Sequence, residues 1–143
     1  MLDLLFSKVQ PQAVTNPGVQ ITATFHSTKV DLLAAGNGAN SLLFIVNMGV
    51  TTDGTFTFSL EDSPDDNSDY TAVASPYVQY GATGHVATSA TAAGTQLKIG
   101  YLGNANGASR YVKLVGTVTG SPGTGAYLSA NALLGGVDLL PLT

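Results

Sequence analysis

Apolar residues recur in this chain at every second position far more often than at every third or fourth. Phe56, Phe58 and Leu60 alternate with Thr55, Thr57 and Ser59, and Ala126, Leu128, Ala130, Ala132 and Leu134 repeat the pattern near the other end. A period of two places one set of side chains on each face of an extended strand, so these segments read as strands with one buried face. The chain is also interrupted by 17 glycines and 6 prolines, which leave no stretch long enough for an amphipathic helix. The fold class expected is all-β.

Strands are placed by the same alternation. Val19 to His26 is expected to turn Val19, Ile21, Ala23 and Phe25 inward, and Thr28 to Leu33 to bury Val30 and Leu32. Leu42 to Met48 is apolar apart from Asn47, as in a central strand covered on both faces or pressed against another subunit. Asp53-Gly54 between two β-rich runs predicts a hairpin into Thr55 to Leu60. Further strands are read at Tyr70 to Val73, Tyr77 to Tyr80, around Leu97, Ile99 and Tyr101, at Arg110 to Val118 and at Ala126 to Leu134. Turns are read at 36–40, 104–107 and 120–123, and the small-residue run 81–94 adds little core.

Seven to nine short strands without a helix predict an antiparallel β-sandwich, jelly-roll-like, with a single-sheet barrel as the other architecture. At 143 residues there is room for one domain. Its expected layout is a sandwich over 1–143 with 1–18 as an N-terminal arm and 135–143 as a C-terminal tail, both set off by Pro and Gly breakers.

Only 10% of the residues are charged and the net charge is −4, which gives a phosphate backbone nothing to attract. No nucleic-acid partner is expected. The longest apolar run, Leu42 to Val50, falls far short of the ~20 residues that cross a bilayer, so no membrane partner is expected either. Residues 1–6 carry an acid in place of a basic n-region, and no secretion signal is read there.

Candidate chemistry is sparse. The chain has no cysteine and two histidines, His26 and His85, neither beside a nucleophile elbow. The glycine-rich pieces lack the spacing of a phosphate loop. No enzymatic activity and no cofactor are expected. The densest functional signal is acidic: Glu61 to Asp69 contains Asp62, Asp65, Asp66 and Asp69. The D-x-N-x-D spacing at Asp65, Asn67 and Asp69 suits a hard cation, but Tyr70 and Pro76 stand where a calcium loop needs glycine and glutamate. The segment is therefore read as solvated, or as docking on basic groups of a partner. The chain ends are the other interface candidates, with Leu2, Leu4, Leu5 and Phe6 at one and Val137, Leu139, Leu140 and Leu142 at the other. Eight such side chains are too much apolar surface to leave in water. Each end either folds on its own sandwich or reaches a neighbour.

Three stretches in order, STKVDL at 27–32, DGTFTFSLEDSPDDNSD at 53–69 and RYVKLVGTVTGSPGTGAYLSANALL at 110–134, resemble the jelly-roll capsid cement or decoration proteins of tailed bacteriophages. The resemblance implies a non-enzymatic virion protein made in the host cytoplasm. Such a protein binds the outside of the shell and bridges neighbouring coat subunits, with the major capsid protein for a partner. Self-association as homodimer or homotrimer is expected separately, from unpaired sheet edges, low charge and the apolar strand Leu42 to Met48. The competing class is a carbohydrate-binding β-sandwich using Tyr77, Tyr80 and Tyr101 as stacking platforms, against which stands the absence of tryptophan.

Overall fold

Strand pairing sorts the alternating segments into two antiparallel six-stranded sheets in the computed structural model, which describes residues 10–15, 20–33, 41–67, 69–81, 89–90, 94–102 and 109–135. Sheet I holds β1 (Gln10–Ala13), β2 (Gln20–Ile21), β5 (Ser41–Thr51), β8 (Val78–Tyr80), β10 (Gln96–Tyr101) and β12 (Ala126–Gly135). Sheet II holds β3 (Phe25–His26), β4 (Val30–Asp31), β6 (Thr55–Ser63), β7 (Thr71–Ala72), β9 (Ser89–Ala90) and β11 (Tyr111–Thr119). The orders are β1-β12-β5-β10-β8, with β2 also on β12, and β3-β11-β6-β7, with β4 on β11 and β9 on β6. The long strands β5, β6, β10, β11 and β12 alternate between sheets, and the first and last strands are neighbours. This is a β-sandwich with jelly-roll-like wrapping. Gln10 lies opposite Leu134 in the β1–β12 ladder.

The period of two is what fills the core. Leu42, Phe44, Val46 and Met48 of β5, Leu97, Ile99 and Tyr101 of β10, and Leu128, Ala130, Ala132 and Leu134 of β12 face Phe56, Phe58 and Leu60 of β6 and Val112 and Leu114 of β11. Each fully buried Leu, Val or Phe contributes about 1.5–3 kcal/mol, so these few strands carry most of the stability.

Four expectations change. Asp53-Gly54 does not close a hairpin: β5 is already hydrogen-bonded on both edges, to β12 and β10, so β6 crosses to sheet II and pairs with β11. The turn is a corner between sheets. The Asp53 carboxylate fixes it by accepting the backbone N–H groups of Gly123 (2.8 Å), Thr124 (3.2 Å) and Gly125 in the other sheet-crossing turn, between β11 and β12. These N–H groups, Gly125's foremost, hold the Asp53 carboxyl below its ordinary range despite partial desolvation.

The expected strand Val19 to His26 is two short pieces on different sheets. Ile21 pairs with Ala126 of sheet I, Phe25 with Gly116 of sheet II, and Ala23 at the crossing is exposed instead of inward. The crossing needs glycines at both contacts: a side chain at Gly125 would stand 1.9 Å from the Ile21 carbonyl oxygen, and one at Gly116 would meet the Phe25 ring at 2.2 Å. Val19 is outside the described residues.

Leu42 to Met48 is central, but it is not covered equally on both faces. Leu42, Phe44, Val46 and Met48 are buried, whereas Leu43, Ile45 and Asn47 look outward and are half-buried. Finally, the segments expected as an arm, 1–18, and a tail, 135–143, include sheet residues where they are described. Residues 10–13 form β1, Val14 is buried, and Gly135 is the last residue of β12. The remaining parts of both ends, with Leu2, Leu4, Leu5, Phe6, Val137, Leu139, Leu140 and Leu142, lie outside the described residues.

Candidate interaction surfaces

The acidic segment folds as a tight turn at the end of β6. Asp65 accepts the Asn67 backbone N–H at 3.2 Å and its side-chain amide at 2.7 Å, the self-bonding habit of aspartate in turns. Asp66 pairs with Lys29 and accepts the Tyr70 hydroxyl at 3.2 Å. Lys29 holds the Asp66 carboxyl below its ordinary range, while burial, with the bond to Asp66, pushes the Tyr70 phenol up to about 12. Asp62 points the other way, into the end of the sandwich, and accepts the Tyr101 hydroxyl at 2.9 Å. Asp69 is exposed. The structure thus gathers Asp65 and Asp66 in one turn and directs Asp62 away from them. Among the described residues no three His, Asp or Glu side chains converge as a metal site would require.

Basic groups surround this turn. Arg110 forks onto Asp31 at 2.8 and 2.7 Å and lies 5.0 Å from the centre of the Tyr111 ring, and the Lys113 ammonium sits 3.5 Å over the Tyr70 ring. The Arg110 guanidinium lowers the Asp31 carboxyl. Lys29, Arg110 and Lys113 are three of the five basic residues of the chain. This side of the molecule is a mixed, internally paired charge surface, and its acids are less available to a partner than their sequence density suggests.

Among the described residues, His26 has one charged neighbour, Glu61. Its Nδ1 lies 3.2 Å from Glu61, and the adjacent Ser27 hydroxyl donates to the Thr28 carbonyl at 2.9 Å and accepts the Leu114 N–H at 3.0 Å. Ser27 is a structural link between β3 and β11. His85 lies outside the described residues. Tyr80 and Tyr101 are buried, because they occupy inward positions of β8 and β10, and Tyr77 is half-buried, so none of the three is an exposed platform. The tyrosine that sequence reasoning missed is Tyr127, 44% exposed at an outward position of β12.

Tyr127 belongs to the outer face of sheet I, whose register aligns Ser129, Asn47 and Gln96 in one row, Asn131, Ile45 and Lys98 in the next, and Leu133, Leu43 and Gly100 in a third. Gln96 donates to Asn47 across the strands at 2.9 Å. Among the described residues Lys98 is the one charged side chain at an outward position of this sheet. Beside the third row the face dips into a hollow of about 260 Å³ lined by Leu43, Leu133, Leu102, Gly100 and Gly135, with Leu102 53% exposed. The alternation in the sequence contains every one of these residues. What joins them is strand order, which alternation does not encode.

Comparison with protein-family models, with curated proteins and with solved structures finds no match. Function is therefore argued from these surfaces.

Proposed function

We propose that the chain is a non-enzymatic structural protein that decorates the outside of a tailed-phage capsid, docking on coat subunits through the outer face of sheet I. One observation carries this reading: a sheet face of neutral amides, hydroxyls and aliphatic side chains with, among the described residues, a single charge, Lys98, opposite a second sheet that holds the paired ions. Charged groups are depleted at the centre of protein interfaces because desolvating them is costly, and flat neutral faces suit static contact. The sequence resemblance supplies the capsid as partner. Bridging between coat subunits and residence in the virion follow from it; self-association as dimer or trimer rests on the sheet edges and on the half-exposed apolar side of β5.

Tyr127 with the neighbouring amides favours a second reading, a glycan-binding face on the same sheet. The test is pelleting of the purified chain with empty tailed-phage shells, against retention on glycan-coated beads. Ser129→Lys with Asn131→Lys should abolish pelleting while the protein stays folded by circular dichroism. Retention on glycans without pelleting transfers the function to the second reading.

A further inference from the structure

We infer that the turn at 123–125 is an anion-binding nest in its own right, which the Asp53 carboxylate fills from within the chain and which takes a free small carboxylate when that side chain is removed. Three successive backbone N–H groups converge on one group. Gly123 donates to Asp53 Oδ2 at 2.8 Å, Thr124 to Oδ1 at 3.2 Å and to Oδ2 at 3.4 Å, and Gly125 to Oδ1. Consecutive amides facing one side of a turn present a fixed partial positive charge, the arrangement by which backbone alone holds an anion. Among the described residues no cation pairs with Asp53, so its charge is met by these amides only.

The nest is built without its ligand. On one side Thr119 ends the β11–β6 ladder opposite Thr55, and on the other Ala126 is paired with both Thr51 and Ile21. The Thr52 N–H donates to the Gly125 carbonyl at 2.9 Å, and the Pro122 ring lies against Gly54, where an added side chain would stand 3.0 Å from its Cβ and Cγ. Gly120 and Gly125, at φ +89° and +70°, supply the left-handed conformations that the reversal needs. The amides therefore remain aimed when the carboxylate is gone, and a preorganised site costs little to fill. Asp53, Gly123 and Thr124 are exposed, so a solute reaches the same place. The donors set the ligand class. Three N–H groups shared over two oxygens match a planar monoanion, whereas a second charge, as on phosphate, would find no partner there. A free carboxylate forgoes the tether that gives Asp53 a local concentration on the order of millimolar, so it binds weakly and has to be supplied in excess. The site does not depend on what sheet I docks against.

Full-length Asp53→Ala is melted at pH 7 in sodium formate, sodium acetate, sodium phosphate and sodium chloride of equal ionic strength. The variant should melt lower than the parent in chloride. Formate and acetate should raise it saturably toward the parent, while leaving the parent where chloride leaves it. No rise in either carboxylate would overturn the nest, and so would a rise of the same size in the parent, which marks a solvent effect. A larger gain over the parent in phosphate than in formate would overturn the carboxylate assignment. The parent supplies a check that does not require the variant to fold. In an acid titration followed by nuclear magnetic resonance, the amide protons of Gly123, Thr124 and Gly125 should shift together through one transition as Asp53 takes up its proton. Amides that shift at separate pH values, or that stay put until the chain unfolds, would overturn the shared site.

Discussion

The Tyr101 hydroxyl donates a 2.9 Å hydrogen bond to the Asp62 carboxylate, joining β10 of sheet I to β6 of sheet II at one end of the core. Tyr101 is 1% exposed, so this bond satisfies a buried hydroxyl at the edge of a largely aliphatic and aromatic interior. Removing it leaves a carboxylate without its donor. Tyr101→Phe should cost about 1.5–3 kcal/mol, the range for hydrogen bonds to charged groups, read as a lower urea midpoint with unchanged slope.

Alkaline pH acts on the same contact. Burial, reinforced by Asp62, raises the Tyr101 phenol above its ordinary 10.0, burial raises Tyr80, and Tyr70 is pushed up to about 12. The folded chain keeps protons that the unfolded chain loses, so this stability is complete below pH 10 and declines as pH rises toward the folded-state values. Absorbance titration of the native protein should show these three phenols ionising later than in urea, and Tyr101→Phe should flatten the alkaline fall in melting temperature.

Asp53 predicts the mirror effect in acid. Its carboxyl is held below the ordinary 3.8 by the N–H groups of Gly125, Gly123 and Thr124, so its contribution is present above that value and is lost as pH falls through the folded-state pKa. Asp53→Asn should melt a few degrees lower than the parent at pH 7, and the two melting curves should converge in acid. A constant gap across the acid range would show that charge is not what the turn uses.

Gly125 has φ +70° and no room for a side chain against the Ile21 carbonyl. Gly125→Ala combines backbone strain of about 1–3 kcal/mol with displacement of β2, so a total on the order of 3 kcal/mol or more is expected in urea unfolding. A loss under 1 kcal/mol would mean that β2 yields freely.

The acidic turn should behave as structure, not as a cation site. Millimolar calcium should leave the melting temperature unchanged. Asp66→Asn, which frees Lys29 and Tyr70, should lower it in low salt, with the difference narrowing as salt screens the pair. A calcium-dependent rise in melting temperature would refute this account.

The strands were legible wherever local chemistry decides. Phe56 to Leu60 and Leu128 to Leu134 alternate in the sequence and alternate in burial. Pairing was not legible, because the same Asp53-Gly54 signal serves a hairpin and a corner, and the choice depends on whether β5 has a free edge. The charged side could be guessed from the density of acids, but not the pairing of Asp66 with Lys29 or of Asp31 with Arg110, which are 37 and 79 residues apart. The neutral face was hidden for the same reason. Asn47, Gln96 and Ser129 become one row only through long-range register.

The pairing of Gln10 with Leu134 means that the described part of the chain begins and ends side by side, about 5 Å apart on adjacent strands. Between Gln10 and Leu134 the backbone is in effect a nearly closed loop, so a circular permutant that links these points and opens at a surface turn should keep the described ladders of both sheets. A peptide joined directly to Gln10 or to Leu134 would emerge from the same spot on the rim, at the edge of sheet I. Many copies arrayed on a surface would then present the two joined peptides as one dense lattice of paired stems.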